Sequence, residues 1–398
     1  MSPAGGCLWS DQLGQAVARR PALASDAEAD VCVVGGGYTG LWTARWLLEA
    51  DPSLRVLVLE AETVGFGASG RNGGWASALF PTSAWALARR HGRPAAAAMR
   101  RTMRTAVGAL GDAVAADGIA CDWLRGGTVV VARTPVQLDR AREEVHSARL
   151  FGVDELHLLD ADEVCRHVTA SGALGGTWTP DCARVQPAQL VRGLAAAVER
   201  RGGRIVEGTP ALAVAPGRVR TVTGTVRCDQ VVLATEAWTP AFAGHRRDVV
   251  PVYSLVVATE PLDDATWARI GLAGGETFSE HRYLVVYGQR TADGRLVLGG
   301  RGRRTTRAPG SRRASTATSG SSAGCAARRS TCSRCCATSA SPTPGADRWA
   351  SRATGTPASA TTRRPAPARR AATSVTASPP RSWPAGRSPT CCSAATPS

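Results

Sequence analysis

Three glycines near the start of the chain have the spacing of a dinucleotide site. Gly35, Gly37 and Gly40 fit the pattern G-x-G-x-x-G. The first glycine permits a tight turn, the second lets a pyrophosphate approach the backbone, and the third lets a helix pack closely on a strand. Glu60 follows about 20 residues later, where a carboxylate can accept the ribose hydroxyls of an adenosine. The spacing predicts a dinucleotide site; the alternative is a glycine-rich turn in another α/β protein.

The elements around these glycines are those that such a site needs. Residues 30–34 are an apolar run that predicts a strand, residues 41–50 have a helical pattern, and residues 55–60 predict a second strand. The predicted helix begins at the glycines, so its free N–H groups and partial positive charge would face a pyrophosphate.

A second glycine-rich loop distinguishes between the two common dinucleotides. Residues 61–75 follow the second predicted strand and place small residues around Arg71 and Asn72. A flavin needs close backbone contact beyond the pyrophosphate, whereas an NAD-linked dehydrogenase has no use for such a loop. We therefore expect FAD rather than NAD. No Cys or His adjoins the loop, so the FAD is expected to be non-covalent.

The run G-F-G-A-S-G-R-N-G-G-W at 65–75 resembles the D-amino-acid-oxidase-like family of FAD-dependent oxidoreductases. It is especially similar to the branch that contains gamma-glutamylputrescine oxidoreductase. Further similarity extends over residues 29–302, including the strand at 231–238 that ends in A-T-x-x-W. The resemblance implies an α/β fold, with a Rossmann-like FAD-binding domain and a second α+β substrate domain.

The motifs and the resemblance together predict a set of cofactor-binding residues. These are Gly35, Gly37, Tyr38, Thr39, Gly40, Glu60, Ala61, Gly67, Ala68, Ser69, Arg71, Asn72, Gly73, Gly74, Ala211, Ala234, Thr235 and Trp238.

The resemblance also implies a reaction, which is oxidation of the C–N bond of an amine or amino acid. Hydride would pass to flavin N5, the imine would hydrolyse, and oxygen or another acceptor would reoxidise the flavin, giving peroxide in the case of oxygen. No dedicated acid–base residue is obvious. Arg71 and Asn72 are candidates for polar contact near the flavin ring, although they could equally hold the loop. Tyr253, Tyr287 and Arg290 are weaker candidates for the substrate side and would look the same as ordinary strand residues.

Composition and similarity divide the chain into segments. We expect the FAD-binding domain at 26–90 and 171–245, the substrate domain at 91–170 and 246–298, and the start of a last FAD-domain segment at 299–302. Residues 303–398 contain no Leu, Ile, Phe, Tyr or Met, so they cannot bury enough apolar surface to offset chain entropy. We expect this tail to be disordered.

A frameshift explains the tail. If the true codons begin one base earlier, residues 305–311 can encode Y-H-x-G-S-R-I and residues 372–378 can encode G-Y-V-G-D-G-V. Three further strings fit in the same order, at 331–338, 343–349 and 388–393. Five strings in family order from one constant shift favour a tail read out of frame. The resemblance implies that the missing C-terminal turn and helix would cover the flavin, so a catalytically inactive remnant that binds FAD poorly is the alternative function.

The same interpretation argues against two other functions, nucleic-acid binding and metal binding. The chain has 48 Arg against 32 acids, for a net charge of +16, but 16 of those Arg and one acid lie in 303–398. The first 302 residues carry a net charge of +1, so we expect no specific nucleic-acid partner. Cys332, Cys335 and Cys336 could suggest zinc, but the shift turns them into leucine-type codons, and we expect no metal. We see neither a membrane span nor a signal peptide and expect a cytoplasmic protein.

Overall fold

The computed structural model describes residues 7–14, 18–250, 253–301 and 351–354, with backbone alone at 253, 301 and 351–354. The strands of these ranges are β1 Ala27–Val34, β2 Val56–Leu59, β3 Trp75–Ser77, β4 Thr128–Ala132, β5 His157–Leu159, β6 Gly175–Thr179, β7 Cys182–Arg184, β8 Arg204–Val206, β9 Ala213–Ala215, β10 Arg218–Arg220, β11 Thr225–Leu233, β12 Tyr253–Ala258, β13 Thr277–Glu280, β14 Val286–Arg290, β15 Leu296–Arg301 and β16 Ser351–Thr354. The α-helices are α1 Leu8–Asp11, α2 Tyr38–Ala50, α3 Ala84–His91, α4 Arg93–Ala116, α5 Pro135–Leu150, α6 Ala161–His167, α7 Pro187–Arg200 and α8 Asp264–Ile270.

A six-stranded sheet contains the predicted strand–helix–strand unit. Its order is β8-β2-β1-β11-β10-β9; β8, β2, β1 and β11 are parallel, and β10 and β9 are antiparallel to their neighbours. The register aligns Val34 with Leu59 and with Leu233, so three parallel strands end side by side. In open sheets of this type, ligands bind outside the carboxyl ends of the strands.

Helices α2 and α7 pack on one face of this sheet because both carry an apolar stripe. Leu41 and Leu48 of α2 and Leu194 of α7 are almost fully buried, together with Val33 and Val58 of the sheet. Burial at both faces explains why Val31–Val34 of β1 and all of β2 are continuous apolar runs rather than alternating ones. The predicted strands at 30–34 and 55–60 and the predicted helix at 41–50 are confirmed.

An eight-stranded sheet forms the second half of the molecule. Its order is β16-β12-β15-β14-β13-β4-β6-β5, and its pairs are antiparallel except for β13 with β4. Its own core includes Val129, Phe278 and Trp267. Strands β3 and β7 pair in a short two-stranded sheet. In the sequence, each of them follows a strand of one larger sheet and precedes a strand of the other.

Strand membership differs from the predicted segments at two points. Strand β6 pairs with β4 and β5 in the eight-stranded sheet, whereas the sequence places its residues in the second FAD-domain segment. Strand β15 likewise stays in that sheet between β12 and β14, so 299–301 continue the substrate side. Local sequence could not show the pairing of β6 with β4 or of β15 with β12, because these partners lie 39 to 51 positions apart in the chain.

Only 351–354 of the predicted tail lie within the described residues. There the backbone forms β16, antiparallel to β12. The remainder of 303–398, including the three cysteines of the rejected zinc motif, lies outside the described residues.

Candidate active site

A cavity of about 850 Å³ lies between the carboxyl ends of β1 and β2 and the eight-stranded sheet. Its volume falls within the roughly 300–1,000 Å³ that small-molecule sites commonly have. Many residues predicted from sequence line it: Gly35, Gly37, Tyr38, Thr39, Glu60, Ala61, Gly67, Ala68, Ser69, Asn72, Gly73, Ala211, Ala234, Thr235, Trp238 and Tyr287. These residues come from distant parts of the chain, and folding brings them to one cavity.

The start of α2 has the close packing that the glycine spacing predicts. Gly35 has a φ of +114°, which favours glycine, and a Cβ on Gly40 would lie 2.0 Å from the Gly35 carbonyl oxygen. Gly37 precedes the helix without a side-chain cap of its own, and the Tyr38 N–H donates to Ser69 Oγ at 2.9 Å. The helix N-terminus therefore lies open to the cavity beside a small hydroxyl, an arrangement that suits an anionic group.

Glu60 stands at the end of β2 with its carboxylate held by backbone. One oxygen accepts from the Gly36 N–H at 2.7 Å and the other from the Glu62 N–H at 2.9 Å. Burial raises the pKa of Glu60, and these two hydrogen bonds act in the opposite direction. Each carboxylate oxygen has a further lone pair, so Glu60 can accept two more hydrogen bonds from a ligand in the cavity.

The second glycine-rich loop is shaped by Asn72. Its side-chain amide donates to the carbonyls of Ala68 and Ser69, both at 3.1 Å, and its carbonyl oxygen accepts from the Gly74 N–H at 2.8 Å. Asn72 lines the cavity, but its polar atoms are occupied in holding the loop. The structure thus gives this residue the loop-holding role that the sequence left open.

Several predicted residues lie beyond the cavity lining. The guanidinium of Arg71 covers the Phe66 ring at 5.0 Å, and that of Arg290 covers the Trp267 ring at 4.7 Å. Gly40 and Gly74 support the lining from behind, through contacts with other backbone and side-chain atoms. The side chain of Tyr253 lies outside the described part of the structure, although its backbone begins β12.

Tyr287 links the eight-stranded sheet to the loop. Its hydroxyl lies 3.1 Å from Ser254 Oγ, and its ring meets Trp75 edge-on at 5.7 Å. A Cβ on Gly73 would lie 2.6 Å from the Tyr287 ring, so only glycine permits this approach of the loop. The tyrosine therefore reaches the cavity at the junction of the two halves.

Sequence reasoning missed two side chains that fasten the loop. Gln289 is 1% exposed and donates to the carbonyls of Gly73 and Gly74 at 2.7 and 3.1 Å. Trp9 donates from its indole N–H to the Asn72 carbonyl at 2.8 Å. Neither had a local signal, because both partners lie more than 60 positions away in the sequence.

Charged side chains that the sequence did not indicate also line the cavity. Arg100 and Arg104 come from α4, Glu144 comes from α5, and Asp181 precedes β7. Arg104 forms ion pairs with Asp181 and Glu155, both at 2.5 Å. No group of three or more His, Cys, Asp or Glu side chains suited to a metal occurs in the described ranges.

These features fit FAD. The open helix end suits a pyrophosphate, the free lone pairs of Glu60 suit ribose hydroxyls, and the glycine contacts leave room beside the backbone. The family of FAD dependent oxidoreductases (DAO) matches residues 30–359 of the chain. The chain belongs to this family. The cofactor of the family is FAD, and the members of the family include oxidoreductases of amines and amino acids.

Individual relatives agree with this membership. Gamma-glutamylputrescine oxidoreductase of Escherichia coli (strain K12) is 32% identical over 279 residues, which are 68% of this chain and 64% of that protein. Among solved structures, glycine oxidase from Geobacillus kaustophilus has a TM-score of 0.62 at 19% identity, covering 83% of this chain and 84% of that one. L-alpha-glycerophosphate oxidase from Mycoplasma pneumoniae with FAD bound has a TM-score of 0.54 at 14% identity, covering 69% and 71%. The two structures show the shared fold.

The family match has a limit in length. The chain spans about two thirds of the curated relatives that it matches, 66% of one and 64% of another. Among the described residues, no helix is long and apolar enough to cross a membrane.

Proposed function

We propose that this flavoprotein oxidises the C–N bond of an amine or amino acid. The observation that carries the proposal is the convergence of the open α2 end, Glu60 and the 65–74 loop on one cavity that continues to the eight-stranded sheet. Matched relatives named gamma-glutamylputrescine oxidoreductase and D-amino acid dehydrogenase support this substrate class.

Each part of the cofactor has a proposed position along the cavity. The N-terminus of α2 would hold the pyrophosphate, Glu60 would accept the ribose hydroxyls, and Ala211 would border the adenine. The 65–74 loop would hold the ring, with Ala234, Thr235 and Trp238 along its side. Residues 35, 40 and 74 would support these contacts from behind the lining.

The substrate side would favour a neutral amine. Val130, Leu156 and Tyr287 line it, and a weakly solvated site disfavours the charged form of an amine. When bound, FAD supplies the acceptor for the hydride that leaves the substrate α-carbon, with oxygen, giving peroxide, or another acceptor taking the electrons in turn. The imine product would hydrolyse to an aldehyde or keto acid and ammonia or an amine.

The second candidate is an inactive remnant of such an enzyme. The length of the match favours it, because the match covers 64% of the E. coli relative. We retain the proposal of a frameshift near codon 303 as the cause. Resequencing the DNA around that codon tests this cause. A DNA sequence that encodes residues 303–398 as given, with no base gained or lost, would refute it.

Reconstitution with FAD decides between the two candidates. The purified chain is incubated with FAD, and the unbound FAD is removed. The chain is then mixed anaerobically with a panel of amines and amino acids. Loss of flavin absorbance on addition of one of them supports the oxidoreductase. A colourless chain, or a yellow one that no compound bleaches, supports the remnant. Glu60→Gln should weaken FAD binding, and Glu28→Gln, an exposed acid on β1, is the matched control.

A further inference from the structure

The short helix α1 packs against both halves of the molecule. Its Leu8 and Trp9 side chains are almost fully buried, with 5% and 2% exposed. They share an apolar cluster with a side chain at the start of α7 and with two strands of the eight-stranded sheet, through Ala188, Val256 and Val297. A four-residue helix is not stable by itself in water. Helix α1 therefore depends on these contacts, and through them it links the two halves.

The same helix reaches the second glycine-rich loop. The Trp9 indole N–H donates to the Asn72 carbonyl at 2.8 Å, and Cys7 Sγ, just before the helix, lies 3.7 Å from the Gly70 carbonyl oxygen. The backbone of Trp9 is fixed in turn, because its carbonyl accepts from the side-chain amide of Gln186 at 2.8 Å. Gln186 is the N-cap of α7. Two carbonyls of the loop are thus held by an element 63 positions earlier in the chain.

The composition of the loop makes contacts from other elements important. Five of the ten residues at 65–74 are glycines, and glycine loses more conformational freedom on ordering than any other residue. The eight-stranded sheet supplies contacts through Gln289, which holds Gly73 and Gly74. Helix α1 supplies them at Gly70 and Asn72. The loop is therefore fastened from both sides, and each fastening offsets part of the entropy lost when it is ordered.

We propose that Trp9 is a positioning residue for the flavin. Its hydrogen bond to Asn72 keeps the 65–74 loop in the shape that receives the ring, and α1 ties that shape to the eight-stranded sheet. The inference rests on the proposed function, in which this loop holds the ring. Trp9 acts through the loop, because it lies behind it and outside the cavity lining. Without the hydrogen bond, FAD would have to order the loop as it binds, which lowers its apparent affinity.

Trp9→Phe tests the proposal, because it keeps a buried aromatic ring and removes the indole N–H. One hydrogen bond corresponds to about a 2- to 13-fold change in an equilibrium constant. In the full chain without FAD, hydrogen–deuterium exchange of peptides that cover residues 65–75 should be faster by a factor in this range. The Kd for FAD, from fluorescence titration, should rise by a factor in the same range.

Trp267→Phe is the matched control. Trp267 is also 2% exposed, and its indole N–H donates to the Gly294 carbonyl at 2.9 Å. It packs in the core of the eight-stranded sheet and outside the cavity lining. This variant loses the same kind of contact and should lower the melting temperature by a similar amount, but it should leave the exchange of the loop and the Kd for FAD unchanged. A role of Trp9 in stability alone would make the two variants behave alike.

Unchanged loop exchange in folded Trp9→Phe, or faster exchange with an unchanged Kd for FAD, would overturn the proposal. Leu8→Ala keeps the indole but loosens the packing of α1, so it should change exchange and affinity in the same direction. If Trp9→Phe does not fold, normal loop exchange in Leu8→Ala would overturn the proposal instead. If the unmodified chain takes up no FAD, faster loop exchange in Trp9→Phe would sustain the role of Trp9 in the loop and refute the proposed function, so the two failures are distinguishable.

Discussion

Alanine substitutions at two helix glycines, Gly40 and Gly108, should change the free energy of unfolding in opposite directions. The start of α2 contacts the chain just after β1 at Gly40, whereas Gly108 has open space around it. In Gly40→Ala the new Cβ would lie 2.0 Å from the carbonyl oxygen of Gly35, which is backbone and cannot rotate away. Overpacking of this kind costs about 1–3 kcal/mol, and a backbone obstacle places Gly40 near the upper end. The higher helix propensity of alanine returns up to about 1 kcal/mol. We therefore expect the free energy of unfolding to fall by about 2 kcal/mol.

Gly108→Ala in α4 is the matched comparison. No atom lies within 4 Å of the Cβ that it would add, so only the propensity gain remains. This variant should be more stable than the unmodified chain by about 0.5–1 kcal/mol. The two variants should therefore differ by about 3 kcal/mol.

Urea unfolding followed by tryptophan fluorescence measures both changes, and FAD titration of the folded proteins measures the effect on the site. The Gly40 variant should also bind FAD more weakly, because the displaced helix end no longer faces the cavity, whereas the Gly108 variant should bind it normally. A Gly40 variant as stable as the unmodified chain, or a Gly108 variant that loses as much stability, would refute the reasoning from packing.

Three further predictions concern other parts of the structure. Gln289→Leu removes two hydrogen bonds to the glycine-rich loop and should weaken FAD binding about tenfold or more, measured by fluorescence titration; unchanged affinity would show that the loop holds itself. Asp117→Asn breaks a buried ion pair with Arg45 and should cost about 3–5 kcal/mol of stability, whereas Asp139→Asn, an exposed pair on α5, should change it by less than about 1 kcal/mol in the same urea assay. The side chain of His281 is 7% exposed and burial lowers its pKa from 6.5 to about 4, so the unfolded chain binds more protons there between these pH values. Stability should fall as pH drops from about 6.5 to 4, by up to about 3 kcal/mol from this group, and His281→Gln should flatten that part of a thermal-melt profile against pH.

The dinucleotide unit could be predicted because its signals are local. The spacing of Gly35, Gly37 and Gly40, the apolar strands on either side and the position of Glu60 all lie within one strand–helix–strand unit. The structure confirms those elements and brings these residues to one cavity except Gly40, which packs behind it. The proposed roles of these residues toward FAD remain predictions.

The substrate side could not be predicted because its contacts are long-range. Arg100 sits in an arginine-rich stretch of α4, and nothing local separates it from Arg101, which is exposed. Gln289 holds a loop 215 positions earlier in the chain. The pairings of β6 with β4 and of β15 with β12 likewise join strands that are distant in the chain, so the composition of either strand does not show them.

A titration with FAD and with FMN tests the central claim most directly. The claim is that the α2 end and Glu60 hold the ADP half of the cofactor. If so, binding to the chain should quench the fluorescence of FAD. FAD should also bind more than about tenfold tighter than FMN, which has the same ring without the adenosine monophosphate. Glu60→Gln should reduce this preference. Equal affinity for FAD and FMN, or no binding of either, would contradict the account.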